Sequence, residues 1–202
     1  MLITVEGIDG AGKSTLVAGL ADALRGHDPV VLREPGGVGL AERLRALVKD
    51  PALTVGARAE ALVYAAARAQ LVDELLRPLL DAGRLVLLDR FVDSSLAYQG
   101  GGRGLGVAAV RELNAFGTDG LVADRTLLLR IDPAAGRARI GGRGEAQDRI
   151  ESEREAFWIA CARAYDDLAA AEPERWAVID GAHPPDAVAE AVWSVVRQRL
   201  RP

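Results

Sequence analysis

Apolar residues along the chain alternate between two patterns. Short unbroken runs, Leu2 to Glu6 and Leu85 to Leu88, read as strands buried on both faces. Pro29 to Leu32, Arg125 to Ile131 and Trp176 to Asp180 read as three more strands. Between them the apolar residues recur at helical spacing. Leu16 to Leu24 is the first such stretch, and Leu40, Leu44, Leu47 and Val48 share one helical face with Glu42, Arg43 and Arg45 off it. An alanine-rich helix is predicted over 56–81, with Thr54 as its cap and Ala82 and Gly83 beyond its end. Its small residues suit a core helix or a subunit contact, and the core is the simpler reading. Asp93 to Tyr98 reads as a short helix, Gln99 to Gly104 as a loop, and Val107 to Phe116 as a helix. Asp132 and Pro133 open another helix, because proline suits the first helical turn. Helices are also predicted over 152–171 and 186–200, the last with Val188, Ala191, Val192, Val195 and Val196 on its apolar side. Strands alternating with helices imply an α/β fold: five parallel strands with helices on both faces. No linker, repeat or low-complexity tract interrupts residues 1–202, so one domain is expected.

Composition narrows the function classes. Half the 202 residues are hydrophobic, enough for a sizeable core. A net charge of −4 argues against a dedicated nucleic-acid surface but leaves room for a local basic pocket. The single cysteine, Cys161, follows Phe157, Trp158 and Ile159, so it reads as a small buried residue rather than a nucleophile. His27 and His183 lack partners at metal-ligand spacing, so no zinc site is expected. With no signal peptide and no apolar run of transmembrane length, a cytoplasmic protein without a membrane partner is expected.

The candidate chemistry starts at Gly7 to Thr15, which follows the first strand and opens the first helix. It matches G-x-x-x-x-G-K-[ST], and strand, glycine-rich turn and helix are the context that pattern requires. Glycines let successive backbone N–H groups point inward, where the helix N-terminus adds its positive dipole end. Lys13 can reach the outer phosphates of a nucleoside triphosphate, and the Ser14 hydroxyl can ligate Mg²⁺. Asp89, at the carboxyl end of a buried strand, suits the same ion, partly through water; its alternative role is to cap the next segment. Arg90 beside it offers a fork for a second phosphate. Arg137, Arg139, Arg143 and Arg149 crowd a glycine-broken stretch at about 136–150, either a lid closing over phosphates or a solvated charged loop. The upstream P-loop favours the lid. No catalytic base stands out, and a phosphate acceptor needs none, since its oxygen is already ionised. A GTPase is disfavoured, because Asn114 to Gly117 is the nearest stretch to N-K-x-D and does not match it.

Taken together the motifs resemble the bacterial thymidylate kinase family. The resemblance rests on Glu6 to Thr15, Arg33 to Gly37, Tyr64 to Gln70, Asp89 to Phe91, Ala97 to Gly104 and Asp148 to Glu151, in family order across nearly the whole chain. It implies a P-loop NTPase fold with a short arginine-bearing lid, and transfer of the γ-phosphate of ATP to dTMP by a Mg²⁺-dependent homodimer. The implied ATP-binding residues are Gly7, Ile8, Asp9, Gly10, Ala11, Gly12, Lys13, Ser14, Thr15, Arg139 and Arg149. Those implied for dTMP are Asp9, Glu34, Pro35, Tyr64, Arg68, Arg90, Ser95, Tyr98 and Gln99. By the same resemblance, Asp9 should face the sugar 3′-hydroxyl, Arg90 hold the dTMP phosphate, Arg68 and Gln99 read the thymine edge, and Tyr98 crowd the 2′ position. Lys13, Asp9, Arg90 and Arg143 form the implied catalytic set. Arg143 in the lid would bridge the two phosphoryl groups, which fits a P-loop carrying Ala11 where an arginine could stand. Two positions depart from the family pattern: Tyr64 replaces the usual stacking phenylalanine, and Phe91 stands where tyrosine or histidine is common. The rival readings are a kinase for another nucleoside monophosphate, discriminated by Tyr64, Arg68 and Gln99, and a nucleotide-binding switch, opposed by Arg90 and the lid arginines.

Overall fold

The computed structural model describes residues 1–199 apart from Arg143 and Glu145. Five strands, β1 (Leu2–Glu6), β2 (Val30–Arg33), β3 (Val86–Asp89), β4 (Arg125–Arg130) and β5 (Trp176–Asp180), form one sheet in the order β2-β3-β1-β4-β5. Every pairing is parallel, and Val5 lies opposite both Asp89 and Leu127. The central position of β1 explains its run of apolar residues: all five of its residues are buried. Because successive side chains in a strand point to opposite faces, Ile3, Val5 and Leu87 join one core cluster with Leu16 and Leu20, while Leu2, Val86 and Leu88 join another with Ala41, Ala67 and Leu71. Helices therefore cover both faces, and the carboxyl ends of β1 and β3 open side by side at the sheet's top edge.

The helices are α1 (Lys13–Ala23), α2 (Gly39–Lys49), α3 (Ala57–Leu71), α4 (Arg77–Asp81), α5 (Val92–Ser95), α6 (Val107–Thr118), α7 (Pro133–Gly141), α8 (Glu155–Ala171) and α9 (Pro185–Arg199). The alanine-rich segment runs through α3 and α4 as expected, with a π-helical turn at Val72–Leu76 between them. Its N-cap is Gly56, without a side-chain hydrogen bond, so Thr54 does not cap it. On α2 the buried line is Ala41 and Val48, while Leu40 and Leu47 are about half exposed at 49% and 46%. The four-residue apolar face read from the sequence is thus split: Val48 is buried and Leu44 half-buried against the core that α3 also lines, while Leu40 and Leu47 face outward. On α9 the buried positions are Val188, Val192 and Val196, with Ala191 exposed.

The largest correction lies at residues 99–104. Leu96–Gly102 continues from α5 as π-helical turns rather than a loop. The glycines serve close approach, not a bend. A Cβ on Gly102 would stand 2.5 Å from Cys161 Sγ, and one on Gly101 would stand 2.6 Å from Ala164 Cβ, both on α8. Cys161 is fully buried there, and burial pushes its thiol pKa up. Asp132 caps α7 as expected, accepting from the backbone N–H groups of Ala134 at 2.8 Å and Ala135 at 3.3 Å. The first six residues of the expected lid, 136–141, belong to that helix.

Candidate active site

Between β1 and α1 the chain turns through Gly7 to Gly12. Gly10 has φ +80° and packs so tightly that a Cβ would collide with the Gly136 carbonyl, which closes the loop against α7. Lys13 is buried at the loop's mouth. Its Nζ donates to the Ile8 carbonyl at 2.9 Å and lies 3.8 Å from Asp9 Oδ1. Burial, with Arg90 beside it, pulls the Lys13 pKa down to about 8. Burial alone would raise the Asp9 pKa, but Arg90 and Lys13 outweigh it and hold the carboxyl below its usual value.

The end of β3 faces this loop. Asp89 Oδ2 accepts from Ser14 Oγ at 3.0 Å, while the buried Oδ1 has no hydrogen-bond partner among the described residues. A hydroxyl beside a carboxylate with a spare buried oxygen is a hard-oxygen donor set that fits Mg²⁺. Arg90 follows in the left-handed region, φ +71°, a conformation costly for a side chain and concentrated at functional sites. Its backbone N–H donates to the Val5 carbonyl at 3.0 Å. Its guanidinium pairs with Asp9, donates to Ser94 Oγ at 2.9 Å and to the Tyr98 hydroxyl at 3.0 Å, and lies 5.0 Å from the Tyr98 ring centre. Glu6 braces this arrangement from behind, accepting from Phe91 N–H at 2.7 Å, Ser94 Oγ at 2.5 Å and the Tyr165 hydroxyl at 2.9 Å. Burial, with Asp93 nearby, lifts the Glu6 pKa to about 7.

The far wall is built on α3 and on the turns after β2 and β3. Arg68, 3% exposed, donates through Nε to Glu34 Oε2 at 2.7 Å, through Nη1 to Ser95 Oγ at 3.0 Å and to Asn114, and through Nη2 to the Phe91 carbonyl at 3.1 Å. Glu34 Oε1 is buried without a partner among the described residues, and the Glu34–Pro35 peptide is cis. Gln99 donates to Glu60 at 2.9 Å. A cleft of about 340 Å³ runs from the P-loop to this wall. Asp9, Gly10, Gly12, Lys13, Ser14, Thr15, Glu34, Pro35, Tyr64, Arg68, Asp89, Arg90, Ser95, Tyr98 and Gln99 all line it, so most of the expected site residues converge.

Five expected residues stand apart from that lining. Gly7 and Ile8 line a separate cavity between the P-loop and the ends of β4 and β5, and Ala11 is buried in the core. Arg149 is committed elsewhere: its Nη2 donates to Glu60 at 2.6 Å and its Nε to the Val48 carbonyl at 2.9 Å, because tertiary folding places a buried carboxylate beside it. Arg139 sits at the P-loop rim, donating to the Gly10 carbonyl at 3.4 Å and the Gly181 carbonyl at 3.3 Å. Arg143, expected to act from the lid, lies outside the described residues. The structure adds Arg33, Arg45, Lys49, Asp148, Ile150 and Glu151 to the lining, and the buried Glu6 and Glu60 behind it. The available sequence signal was a carboxylate in an apolar context: Glu6 ends the central strand and Glu60 interrupts an alanine-rich helix.

Residues 5–192 match the family model described as Thymidylate kinase. A thymidylate kinase of Deinococcus radiodurans is 46% identical over 201 residues, covering 98% of this chain and 97% of that protein. The chain belongs to the thymidylate kinase family. A thymidylate kinase of Desulfovibrio desulfuricans is 47% identical over 210 residues, covering all of this chain and 97% of the relative. The crystal structure of thymidylate kinase from Ehrlichia chaffeensis superposes with a TM-score of 0.80 at 29% identity, over 98% of both chains. The fold is accordingly the P-loop NTPase type. As a thymidylate kinase family member, the chain is a phosphotransferase that converts dTMP to dTDP with ATP.

Proposed function

We propose that the cleft carries out this transfer with dTMP against the Arg68–Gln99 wall and the triphosphate of ATP in the P-loop. The observation that carries the reading is the convergence of Lys13, Asp89 and Arg90 on the same cleft that Tyr64, Arg68 and Gln99 line. Arg90 takes the acceptor phosphate, and Asp9 beside it takes the sugar hydroxyl. Lys13 leaves the Ile8 carbonyl for the outer phosphates of ATP. Mg²⁺ held by Ser14 and Asp89, partly through water, would neutralise charge across those phosphates. The acceptor oxygen is already ionised, so the protein's task is alignment and charge neutralisation, and no general base is required. Tyr64 offers its ring to the base and Tyr98 fills the space where a ribose 2′-hydroxyl would stand. Arg139 supports the ATP side, and the segment 136–150, with Arg143, closes over the phosphates within the single domain.

The same proposal includes a homodimer, supported by apolar side chains standing free on adjoining helices. Leu62 on α3 is 56% exposed and Phe116 on α6 is 91% exposed, and α3 packs on α6. A cytoplasmic location is part of it too, in keeping with a free, buried Cys161 and with no helix among the described residues long and apolar enough to cross a membrane. The deciding experiment is a coupled ADP-release assay across dTMP, dUMP, dCMP, dAMP and dGMP. Turnover dominated by dTMP is expected, and a purine nucleotide as best substrate would overturn the placement of the base.

A further inference from the structure

Glu60 is fully buried on α3, yet it does not itself line the cleft. Its Oε1 accepts from Gln99 Nε2 at 2.9 Å. Its Oε2 accepts from Arg149 Nη2 at 2.6 Å and Arg103 Nη2 at 2.9 Å, and Arg103 Nε lies 3.1 and 3.2 Å from the two oxygens. Burial alone would raise its pKa, but the hydrogen bonds from Arg103, Gln99 and Arg149 outweigh it and hold the group below its usual value, as a carboxylate. An ionised carboxylate only accepts hydrogen bonds. A side-chain amide facing it must turn its NH₂ inward and its oxygen away. Gln99 Oε1 accepts no hydrogen bond among the described residues, and Gln99 forms part of the cleft wall.

On the same wall Arg68 uses Nε, both Nη1 hydrogens and one Nη2 hydrogen on protein acceptors, so among the described residues one Nη2 hydrogen is left. The wall offers an acceptor at Gln99 and a donor at Arg68. A thymine edge presents the complement, an N3–H donor and an O4 acceptor. A cytosine edge presents the reverse, an N3 acceptor and an N4 amino donor.

We propose that Glu60 is a positioning residue for base selection: it fixes the Gln99 amide so that the cleft accepts a base edge with a donor at N3 and an acceptor at O4, and rejects the cytosine edge. This rests on the reading that Gln99 faces the base. Glu60→Gln tests it. Two arginines keep the new amide's oxygen, so its NH₂ faces Gln99 and forces Gln99 to turn its own NH₂ to the cleft. KM for dTMP is expected to rise and the dTMP:dCMP ratio of kcat/KM to fall, each roughly ten- to hundredfold, with kcat at saturating dTMP changed only a few-fold. The double variant E60Q/Q99E restores an acceptor to the cleft and is expected to recover the preference. Because it keeps one carboxylate and one amide in the pair, it decides the matter even where E60Q does not fold: dCMP used as well as dTMP overturns the proposal. Gln99→Ala separates the two readings. If it leaves KM and the ratio unchanged, Gln99 does not face the base. If it shifts them while a folded E60Q does not, Glu60 alone is refuted.

Discussion

Lys13 is a lysine whose charge is in play near neutrality. Its pKa in the free protein is lowered to about 8 by burial, with Arg90 adding to the effect. In the role proposed for Lys13, binding a triphosphate requires the ammonium, so above pH 8 the free protein takes up a proton to bind ATP. Affinity is therefore expected to fall by about tenfold per pH unit above 8, with proton uptake. Calorimetry in two buffers of different ionisation enthalpy reads that uptake; none at pH 9 would contradict the Lys13 environment. Glu6 titrates in the opposite sense for stability. Its folded pKa of about 7 lies above the ordinary 4.5, so its contribution is fully present below pH 4.5 and is lost as pH rises through 7. That loss is on the order of 3 kcal/mol, and Glu6→Gln should flatten it. Urea unfolding at pH 5 and pH 8 makes the comparison: equal pH dependence in both proteins would remove Glu6 as the source. The local motif residues were legible from sequence because the P-loop and the Asp89–Arg90 pair are contiguous signals. Glu60 and the diversion of Arg149 were not, because the partners of this α3 carboxylate come from the turns after α5 and the segment before α8, and no short window contains all of them.

The strands and the long helices followed from apolar spacing, since burial on a parallel sheet leaves a direct trace in the sequence. The segment Leu96–Gly102 did not, because three consecutive glycines ordinarily mark a turn. Here they let a π-helical segment lie against α8 at a spacing no Cβ would permit, and Tyr98 and Gln99 are delivered to the cleft from that seam. Gly102→Ala is expected to cost 1–3 kcal/mol, roughly the range for overpacking a filled core, because its Cβ would meet Cys161 and Phe157. The Cys161→Ala background should recover part of the loss. Thermal unfolding measures both, and a neutral Gly102→Ala would show the seam to be loose.

Across the whole molecule, the sheet brings the ends of β1 and β3 together, and the apolar surface of α3 and α6 lies on the helices that flank the base wall. Phe116→Asp is expected to yield monomers at micromolar concentration by light scattering while leaving the fold intact, since Phe116 is 91% exposed in the single chain. A variant that stayed dimeric would move the interface elsewhere. The Asp9–Arg90 pair carries a different consequence. An anion entering the free cleft does not meet an open positive hole, because the guanidinium already has a carboxylate beside it. On the proposed placement of the substrate, a bare phosphate that takes the arginine strands Asp9, whereas a nucleotide gives Asp9 a sugar hydroxyl in exchange. Inorganic phosphate should therefore compete with dTMP only weakly, and 3′-deoxy-dTMP should resemble phosphate more than its size suggests: the pair works as a two-key lock, shut to either half of the substrate alone.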